Sequence, residues 1–202
     1  MDEQKKVPEE TEEESARTAG SELYEWVSSL LSAVLIVTLL FTFALRIMSV
    51  KGPSMLQTLK NGDRLIVVNS LLCGEYRQGD IVIARKESFS LEPIVKRVIA
   101  VEGQTVDIDF AEGVVYVDGC ALDEPYINDK TYLEEGTVFP LTLREGELFL
   151  MGDNRNHSND SRDFRIGAVD ERYIIGKAVF LLAPGKASLE EKRDFSRIGV
   201  LH

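Results

Sequence analysis

The sequence predicts a mainly β protein, an antiparallel and partly closed β-architecture preceded by a single N-terminal transmembrane helix. No residue is charged from Trp26 to Leu45, and these 20 residues would span about 30 Å as a helix, the thickness of a hydrocarbon core. After Asp63 the chain alternates short apolar runs with glycine-containing turns. That pattern is typical of strands, and no long amphipathic helix pattern interrupts it.

Residues 1–25 form an acidic N-terminal tail. The tail holds nine acidic and three basic side chains, and so carries six of the eleven net negative charges of the chain. It has almost no apolar residue before Leu23, and such a composition predicts disorder. The acidic balance also argues against nucleic acid as a partner, because phosphate binding requires clustered lysine and arginine.

Residues 26–48 are predicted to be a permanent anchor in the lipid bilayer. A cleaved signal peptide would begin with basic residues and end at a small-residue site, whereas this segment follows an acidic tail and lacks such a site. Three basic residues precede the uncharged run and four follow it closely. This count slightly favours a cytoplasmic position for the C-terminal domain, although large domains translocate despite such charges.

Residues 49–184 are predicted to form the β domain, with a small accessory excursion at 118–145 and a C-terminal tail at 185–202. Glycine-containing turns at 111–113 and 144–146 are each expected to close a hairpin. The predicted strands are 64–69, 80–85, 94–101, 105–110, 114–117, 147–151 and 173–182.

The two cysteines predict neither a disulfide framework nor a metal site. Cys73 and Cys120 lie in no CxxC and in no histidine-spaced pattern, which is what a zinc site would require. We expect two unpaired, partly buried thiols, no metal and no cofactor, with a single Cys73–Cys120 bridge as the alternative outside the cytoplasm.

The segment 50–59, Val-Lys-Gly-Pro-Ser-Met-Leu-Gln-Thr-Leu, follows the apolar run and holds a candidate nucleophile, Ser54. Glycine and proline around a small hydroxyl fix a sharp backbone and leave the side chain uncrowded, which suits a nucleophile better than core packing. A Gly-Pro-Ser triplet is nevertheless most often an ordinary turn. A nucleophilic role therefore requires a partner base elsewhere in the chain.

Lys96 is the candidate base. Alternation along the predicted strand 94–101 places Lys96 on the same apolar face as Ile94 and Val98, and Arg97 on the opposite face. Burial on that face would lower the pKa of the amine and leave it neutral, so that it can act as a general base. The alternative is a surface edge strand, whose charges discourage pairing with other chains.

The polar segment 151–162 follows an apolar strand and supplies the remaining candidate groups. A solvated loop is the default explanation, and the EF-hand pattern is not met because Arg155 stands where Asp or Asn is required. Its carboxylates are expected to pair with arginines, and its serines to help position an ammonium group. A triad of Ser54 with His157 and Asp160 stays open, because spacing alone does not exclude it.

Four motifs follow one another in the domain: Ser-Met-Leu-Gln-Thr-Leu at 54–59, Gly-Asp-Arg at 62–64, Gly-Asp-Ile-Val at 79–82 leading into Val-Lys-Arg-Val-Ile at 95–99, and Gly-Asp-Asn-Arg at 152–155 continuing to Ser-Asn-Asp-Ser-Arg at 158–162. In this order they resemble the type I signal peptidases, membrane-anchored serine–lysine peptidases that remove signal peptides from exported proteins. The resemblance extends from the anchor to about Leu182.

The resemblance implies roles for individual side chains. Ser54 would be the nucleophile and Lys96 the general base, with Ser158 orienting the lysine amine. Our own hypothesis adds that Gly52, Ser54 and Met55 contact the substrate or the oxyanion. Four further residues would support the site, Asp160 and Arg162 as an ion pair and Asp153 and Arg97 in supporting places.

The resemblance also implies an enzyme that needs no cofactor and acts on the signal peptides of exported preproteins. It places the domain outside the cytoplasm and the tail inside, which overrides the charge count. Three departures from the family pattern are Gln57 in place of proline, Asn69 in place of a commonly basic residue, and Gly52 where some members have a hydroxyl. A catalytically silent, membrane-anchored β-module that binds extracytoplasmic peptides is the alternative from another class. The related self-cleaving repressors are disfavoured, because an anchor replaces any DNA-binding segment.

Overall fold

The N-terminal helix α1 (Glu10–Leu39) continues through one π-helical turn, Leu40–Ala44. Glu22–Ala44 is, among the residues described below, the one helical segment long and apolar enough to cross a membrane, with a mean hydropathy of 2.3. Ser32, Thr38 and Thr42 each donate their hydroxyl proton to the carbonyl four residues earlier. Such bonds satisfy hydroxyl groups where lipid offers no partner.

The structure is a computed structural model that describes residues 10–85, 92–186 and 192–201. His202 and residues 1–9 of the acidic tail lie outside this set. Helix α1 begins at Glu10, within the acidic tail 1–25 for which the composition predicts disorder. Glutamate and alanine are frequent here and both favour helix, and acidic residues stabilise the positive N-terminal end of a helix dipole.

The C-terminal end of the predicted anchor also differs from the prediction of 26–48. Residues 45–49 form a strand, β1, that pairs with a second strand, Leu45 opposite Val68 and Ser49 opposite Arg64. Hydropathy alone cannot separate an apolar helix from an apolar strand that directly follows it. The described chain divides into two compact units between Phe43 and Ala44.

Twelve strands in the described residues form two antiparallel sheets. The larger sheet has the order β1-β2-β11-β3-β4-β9-β10, with β12 beside β11, and the smaller has the order β7-β6-β5-β8. The strands are β1 (Leu45–Ser49), β2 (Arg64–Asn69), β3 (Ile81–Ala84), β4 (Ile94–Ala100), β5 (Thr105–Asp109), β6 (Val114–Val117), β7 (Cys120–Ala121), β8 (Leu141–Thr142), β9 (Glu147–Met151), β10 (Val169–Asp170), β11 (Ile174–Ala183) and β12 (Gly199–Val200).

The predicted fold class is confirmed: the protein is mainly antiparallel β, with a curled larger sheet and one apolar N-terminal helix. The hairpin at 111–113 joins β5 to β6. The hairpin predicted at 144–146 is wrong, because β8 belongs to the smaller sheet while β9 pairs with β4 and β10 in the larger one. A turn signal fixes a change of direction, and it does not determine which strand becomes the partner.

Three apolar clusters make the core of the β domain. One of them includes Ile99, Phe149 and Met151 from the larger sheet with Val106 and Val115 from the smaller, and so packs the two sheets together. Both cysteines are unpaired. The Cys73 thiol lies against the carbonyls of Val68 and Asn69, whereas Cys120 is exposed, contrary to the expectation of a partly buried thiol.

Strand β4 lies in the interior of the larger sheet, between β3 and β9. The edge-strand alternative for residues 94–101 is therefore wrong. Lys96 and Arg97 are 3% and 2% exposed, so both faces of this strand are covered. Which strands flank a segment depends on distant parts of the chain, and a local pattern cannot show it.

Candidate active site

The loop from Val50 to Asp63, called the Ser54 loop here, connects β1 to β2 and closes on itself. The Val50 N–H donates to the Asp63 carbonyl, and the Gly62 N–H donates to the Val50 carbonyl, both at 2.8 Å. Gly52 turns the chain with a φ of 85°, a backbone conformation that residues with a side chain rarely adopt. Met55 and other apolar residues of the loop are buried in the core beneath it. Ser54 is thereby held partly exposed above a packed base.

The Lys96 amine contacts the Ser54 hydroxyl, with 2.8 Å between Nζ and Oγ. This is the one hydrogen bond of the Lys96 side chain within the described residues. Burial lowers the pKa of Lys96 from 10.5 to about 8, while the Asp160 carboxylate raises it and the Arg162 guanidinium lowers it further. A substantial fraction of the amine is therefore neutral near pH 8 and able to accept the hydroxyl proton.

Asp160 and Arg162 form a fully buried ion pair in the loop after β9. Arg162 Nε lies 2.9 Å from Asp160 Oδ1, and Nη2 lies 2.9 Å from Oδ2. The carboxylate also accepts the Gly152 N–H at 2.9 Å and the Ser158 hydroxyl at 2.7 Å. Arg162 donates in addition to the carbonyls of Arg155 and Leu133. A buried pair with every group bonded holds its surroundings in one arrangement.

Ser158, predicted to orient the lysine amine, gives its hydroxyl proton to Asp160. None of the described hydrogen bonds joins Ser158 to Lys96. Gly152 explains how this segment approaches the Ser54 loop, because a methyl group on Gly152 would overlap both the Ser158 hydroxyl and the Ser54 carbonyl oxygen. Only glycine allows this approach.

Asn154 attaches the Ser54 loop to the same segment. Its backbone N–H donates to the Ser54 carbonyl at 3.0 Å, and its side-chain amide donates to the Pro53 carbonyl at 3.1 Å. The carbonyl groups of Pro53 and Ser54 therefore both accept hydrogen bonds from Asn154. These two bonds fix the backbone of the candidate nucleophile.

Asp153 and Arg97 form a second buried ion pair, with Nε–Oδ1 and Nη2–Oδ2 distances of 2.9 Å. Arg97 also donates to the Gly79 carbonyl at 2.8 Å, and its guanidinium carbon lies 4.0 Å from the centre of the Tyr126 ring. The Thr58 hydroxyl donates to Asp153. Because Arg97 adjoins Lys96 in β4, this pair connects the strand of the candidate base to the Ser54 loop.

Gly52 and Met55, both predicted to contact the substrate or the oxyanion, are engaged in contacts within the protein. The Gly52 N–H donates to the Asn61 side chain at 3.1 Å, and the Met55 side chain is 1% exposed. Met55 is therefore a core residue beneath the loop and offers no surface to a ligand. The Ser54 N–H donates no hydrogen bond within the described residues, so it is available to a developing oxyanion.

His157 does not join the site. Its side chain is exposed, and no described hydrogen bond links it to Ser54 or Asp160. The Asp160 carboxylate is occupied by Arg162, Ser158 and Gly152. Among the described residues, no group of three or more histidine, cysteine or carboxylate side chains is arranged to hold a metal ion.

Several residues of the excursion 118–145 brace the site and escaped sequence reasoning. Glu124 pairs with Arg155, whose Nη1 also donates to Thr131 Oγ1 at 3.0 Å. Glu135 lies 4.0 Å from Arg162 Nε and has a buried carboxylate oxygen without a described hydrogen-bond partner. Burial and Asp160 raise the pKa of Glu135 to about 7. No local sequence signal marks these residues, since their partners lie in another segment.

A groove of about 390 Å³ lies between residues of β1, β3 and β4. It is lined by Met48 and Ser49 of β1, Lys51, Leu65, Ile83, Glu92, Pro93 and Val95. Val95 directly precedes Lys96 in β4, so the groove borders the strand that carries the candidate base. Its lining is mixed, apolar from the strands and charged at Lys51 and Glu92, which pair at 2.9 Å.

Comparison with known proteins shows which family this chain resembles. The family described as "Signal peptidase, peptidase S26" matches residues 23–183. Signal peptidase I of Bacillus licheniformis is 34% identical over 182 residues, which cover 86% of this chain and 95% of that protein. Signal peptidase IB of Staphylococcus aureus strain N315 is 32% identical over 179 residues, 81% of this chain and 91% of that protein. A crystal structure of a signal peptidase I from Enterococcus faecalis V583 is 28% identical, covers 52% of this chain and 97% of that chain, and aligns with a TM-score of 0.43.

The chain belongs to the signal peptidase family, peptidase S26. The resemblance predicted from the four motifs is thereby confirmed. The family assigns the chain to the peptidases that process signal peptides.

Proposed function

We propose that this protein is a membrane-bound signal peptidase that cleaves N-terminal signal peptides from exported proteins with a Ser54/Lys96 dyad. The observation that carries the proposal is the 2.8 Å contact between Lys96 Nζ and Ser54 Oγ, made by an amine that is 3% exposed. Burial lowers the pKa of this lysine to about 8, which makes it a usable base near neutral pH.

Two steps follow from this geometry. Neutral Lys96 accepts the hydroxyl proton while Ser54 Oγ attacks the scissile carbonyl, and the Ser54 N–H stabilises the oxyanion. The C–N bond then breaks, the Lys96 ammonium gives its proton to the leaving amine, and the signal peptide remains esterified to Ser54. In the second step Lys96 deprotonates a water, which hydrolyses the ester and releases the peptide as a carboxylate.

The supporting residues are assigned to holding these two groups. The Asp153–Arg97 pair connects the Lys96 strand to the Ser54 loop through Thr58. The Asp160–Arg162 pair fixes the segment that carries Gly152 and Asn154. The role of Ser158 as the group that orients the amine stays a prediction, since its hydroxyl proton is bound to Asp160.

The substrate is an extended peptide with small side chains before the scissile bond. We place it along the groove at Val95 and Ile83, from which it passes the exposed Gly52 on its way to Ser54. Extended peptides bind in this way through backbone bonds, with pockets for alternate side chains. A groove of about 390 Å³ accommodates a few small groups.

The apolar segment Glu22–Ala44 is the proposed single-pass anchor, with the β domain outside the cytoplasm and the acidic tail inside. The length and composition of the segment support a membrane span. The substrates of such an enzyme are themselves inserted in the membrane, so an anchored peptidase meets them at the membrane surface.

Purified full-length protein and a preprotein substrate test the proposal. Ser54→Ala and Lys96→Ala are each expected to lower cleavage at least about 1,000-fold, because each removes a group that acts in the reaction. Lys192→Ala, at an exposed position outside the site, serves as the matched control and keeps full activity. Full activity of the Lys96 variant excludes the dyad.

Two further variants separate the alternatives. Loss of activity in His157→Ala, with Lys96→Ala active, would support a histidine triad. Failure of the native protein to cleave any preprotein or to react with a serine-directed electrophile would support a peptide-binding module instead.

A further inference from the structure

We propose that Arg197 is a positioning residue that holds the Ser54 loop in its reactive geometry. Arg197 lies in the segment 192–201, called the C-terminal segment here, beyond the residues 23–183 matched by the family. The inference rests on the proposed function of Ser54, and it adds a residue from outside the catalytic motifs.

The Arg197 guanidinium binds the Ser54 loop at two residues, Asp63 and Thr58. Nη2 lies 2.7 Å from Asp63 Oδ2 and 3.1 Å from the Thr58 carbonyl oxygen, and Nη1 lies 3.1 Å from Asp63 Oδ1. Asp63 closes the base of the loop and Thr58 lies in its C-terminal half. A planar guanidinium can bind a carboxylate with two nitrogens and still donate to a third oxygen, which an ammonium group cannot do with the same geometry.

Asp63 is a junction between three parts of the chain. Its carboxylate is fully buried, and besides Arg197 it accepts the Lys60 N–H at 2.7 Å and the Gly185 N–H at 2.6 Å. A buried carboxylate requires a compensating cation. Arg197 is that cation, so the loop and the C-terminal segment depend on each other.

The C-terminal segment presents Arg197 in a defined orientation. Asp194 caps the short 3-10 helix Phe195–Arg197 by accepting the Ser196 N–H at 3.1 Å. Strand β12 then pairs with β11, Gly199 opposite Leu181. Leu201 packs against the apolar cluster that also contains Met55 of the Ser54 loop. The arginine is therefore held from both sides along the chain.

A continuous series of hydrogen bonds and ion pairs connects Arg197 to the strand that carries Lys96. Arg197 binds the Thr58 carbonyl, and the Thr58 hydroxyl donates to Asp153. Asp153 is paired with Arg97, which adjoins Lys96 in β4. Loss of Arg197 would release one end of Thr58 and leave Asp63 without its cation. The distance from Ser54 to Lys96 would then vary, and proton transfer is sensitive to displacements of this size.

The test compares full-length Arg197→Ala and Arg197→Lys with Arg193→Ala, a control at an exposed arginine four residues earlier. We expect Arg197→Ala to lower kcat about 10- to 100-fold with KM within about twofold, because the substrate groove is untouched while the reacting groups are displaced. The rate of Ser54 modification by a small fluorophosphonate should fall in parallel. Arg197→Lys keeps the charge beside Asp63 and should recover part of kcat.

Added methylguanidinium supplies a second readout. Arg197 borders a cavity of about 570 Å³ that also contacts Gln57 and Asn128, so the small cation can enter the space left in Arg197→Ala and should raise kcat at least about threefold. A lower melting temperature with unchanged kcat and unchanged labelling rate would overturn the inference in favour of a purely structural role. If Arg197→Ala does not fold, Arg197→Gln, which removes the charge and keeps most of the side-chain volume, decides, and native kcat with a native labelling rate in that variant overturns the inference. Activity retained in Ser54→Ala would instead refute the proposed function.

Discussion

At the scale of the residue, the proposed role of Lys96 as a base requires its burial, and burial of an amine costs free energy. Removal from water lowers the pKa of the amine to about 8. Asp160, Asp153 and Glu135 oppose that shift, and Arg162 adds to it. The balance between desolvation and these four charges decides how much of the lysine is a base at a given pH.

The first prediction concerns pH. Because only the neutral amine accepts a proton, kcat/KM for preprotein cleavage should rise with pH around a midpoint near 8. Glu135→Gln removes a negative charge that favours protonated Lys96, so its midpoint should lie at lower pH than that of the native enzyme. Glu134→Gln, at the adjacent exposed position, is the control and should leave the midpoint in place. An unshifted midpoint in Glu135→Gln would show that Glu135 does not influence the base.

At the scale of the element, the site is the meeting point of one strand and two loops. Strand β4 contributes Lys96 and Arg97, the Ser54 loop contributes the proposed nucleophile, and the segment after β9 contributes Gly152 and Asn154. The loops meet where Gly152 has no side chain. This contact fixes the Ser54 carbonyl and, with it, the direction of the hydroxyl.

Gly152→Ala provides the second prediction. A methyl group would overlap the Ser54 carbonyl oxygen and the Ser158 hydroxyl, so the loops must separate. We expect cleavage activity to fall at least about 100-fold, because displacement of the Ser54 loop moves the Ser54 hydroxyl away from Lys96 in β4. Gly199→Ala is the matched control, since that glycine has nothing within 4 Å of the added methyl group. Native activity in Gly152→Ala would mean that the close approach is unnecessary.

Sequence patterns predict the bounds of the strands better than they predict which strands pair with each other. Strands 64–69, 114–117 and 147–151 have the predicted bounds, because alternation and glycine turns are local signals. Strand β1 was assigned to the anchor, because an apolar strand and an apolar helix look alike in hydropathy. The candidate nucleophile and base were found from motifs and alternation.

The residues that brace the site could not be found in the same way. Thr58 and Asp153 are 95 residues apart, and Asp63 and Arg197 are 134 apart. Glu135 and Arg162 likewise lie in different segments. Such pairs are set by how the sheets assemble, and no local pattern encodes them. The C-terminal segment was therefore predicted as a tail, although it contributes a strand and an arginine to the β domain.

At the scale of the whole molecule, an apolar helix and a β domain form two units, and the proposed function needs both. In the proposed function the helix anchors the enzyme in the membrane, where its proposed substrates are inserted. The β domain supplies the proposed substrate groove and the candidate reacting groups. The proposed orientation places this domain outside the cytoplasm.

The third prediction uses the native cysteines to test that orientation. Cys120 is exposed on the β domain, whereas the Cys73 thiol is partly buried against two carbonyls. A membrane-impermeant maleimide should label Cys120 in intact spheroplasts, and Cys120→Ser should abolish that labelling. Labelling that appears only after lysis would place the domain in the cytoplasm.

The pH dependence of Ser54 reactivity is the measurement closest to the proposed chemistry. Full-length protein in detergent is treated with a fluorophosphonate, and the modified peptide is identified and quantified by mass spectrometry. We expect modification at Ser54, at a rate that rises around a midpoint near pH 8 and falls at least about 100-fold in Lys96→Met. Modification at another residue, or a rate that Lys96→Met leaves unchanged, would contradict a nucleophilic serine activated by a buried lysine.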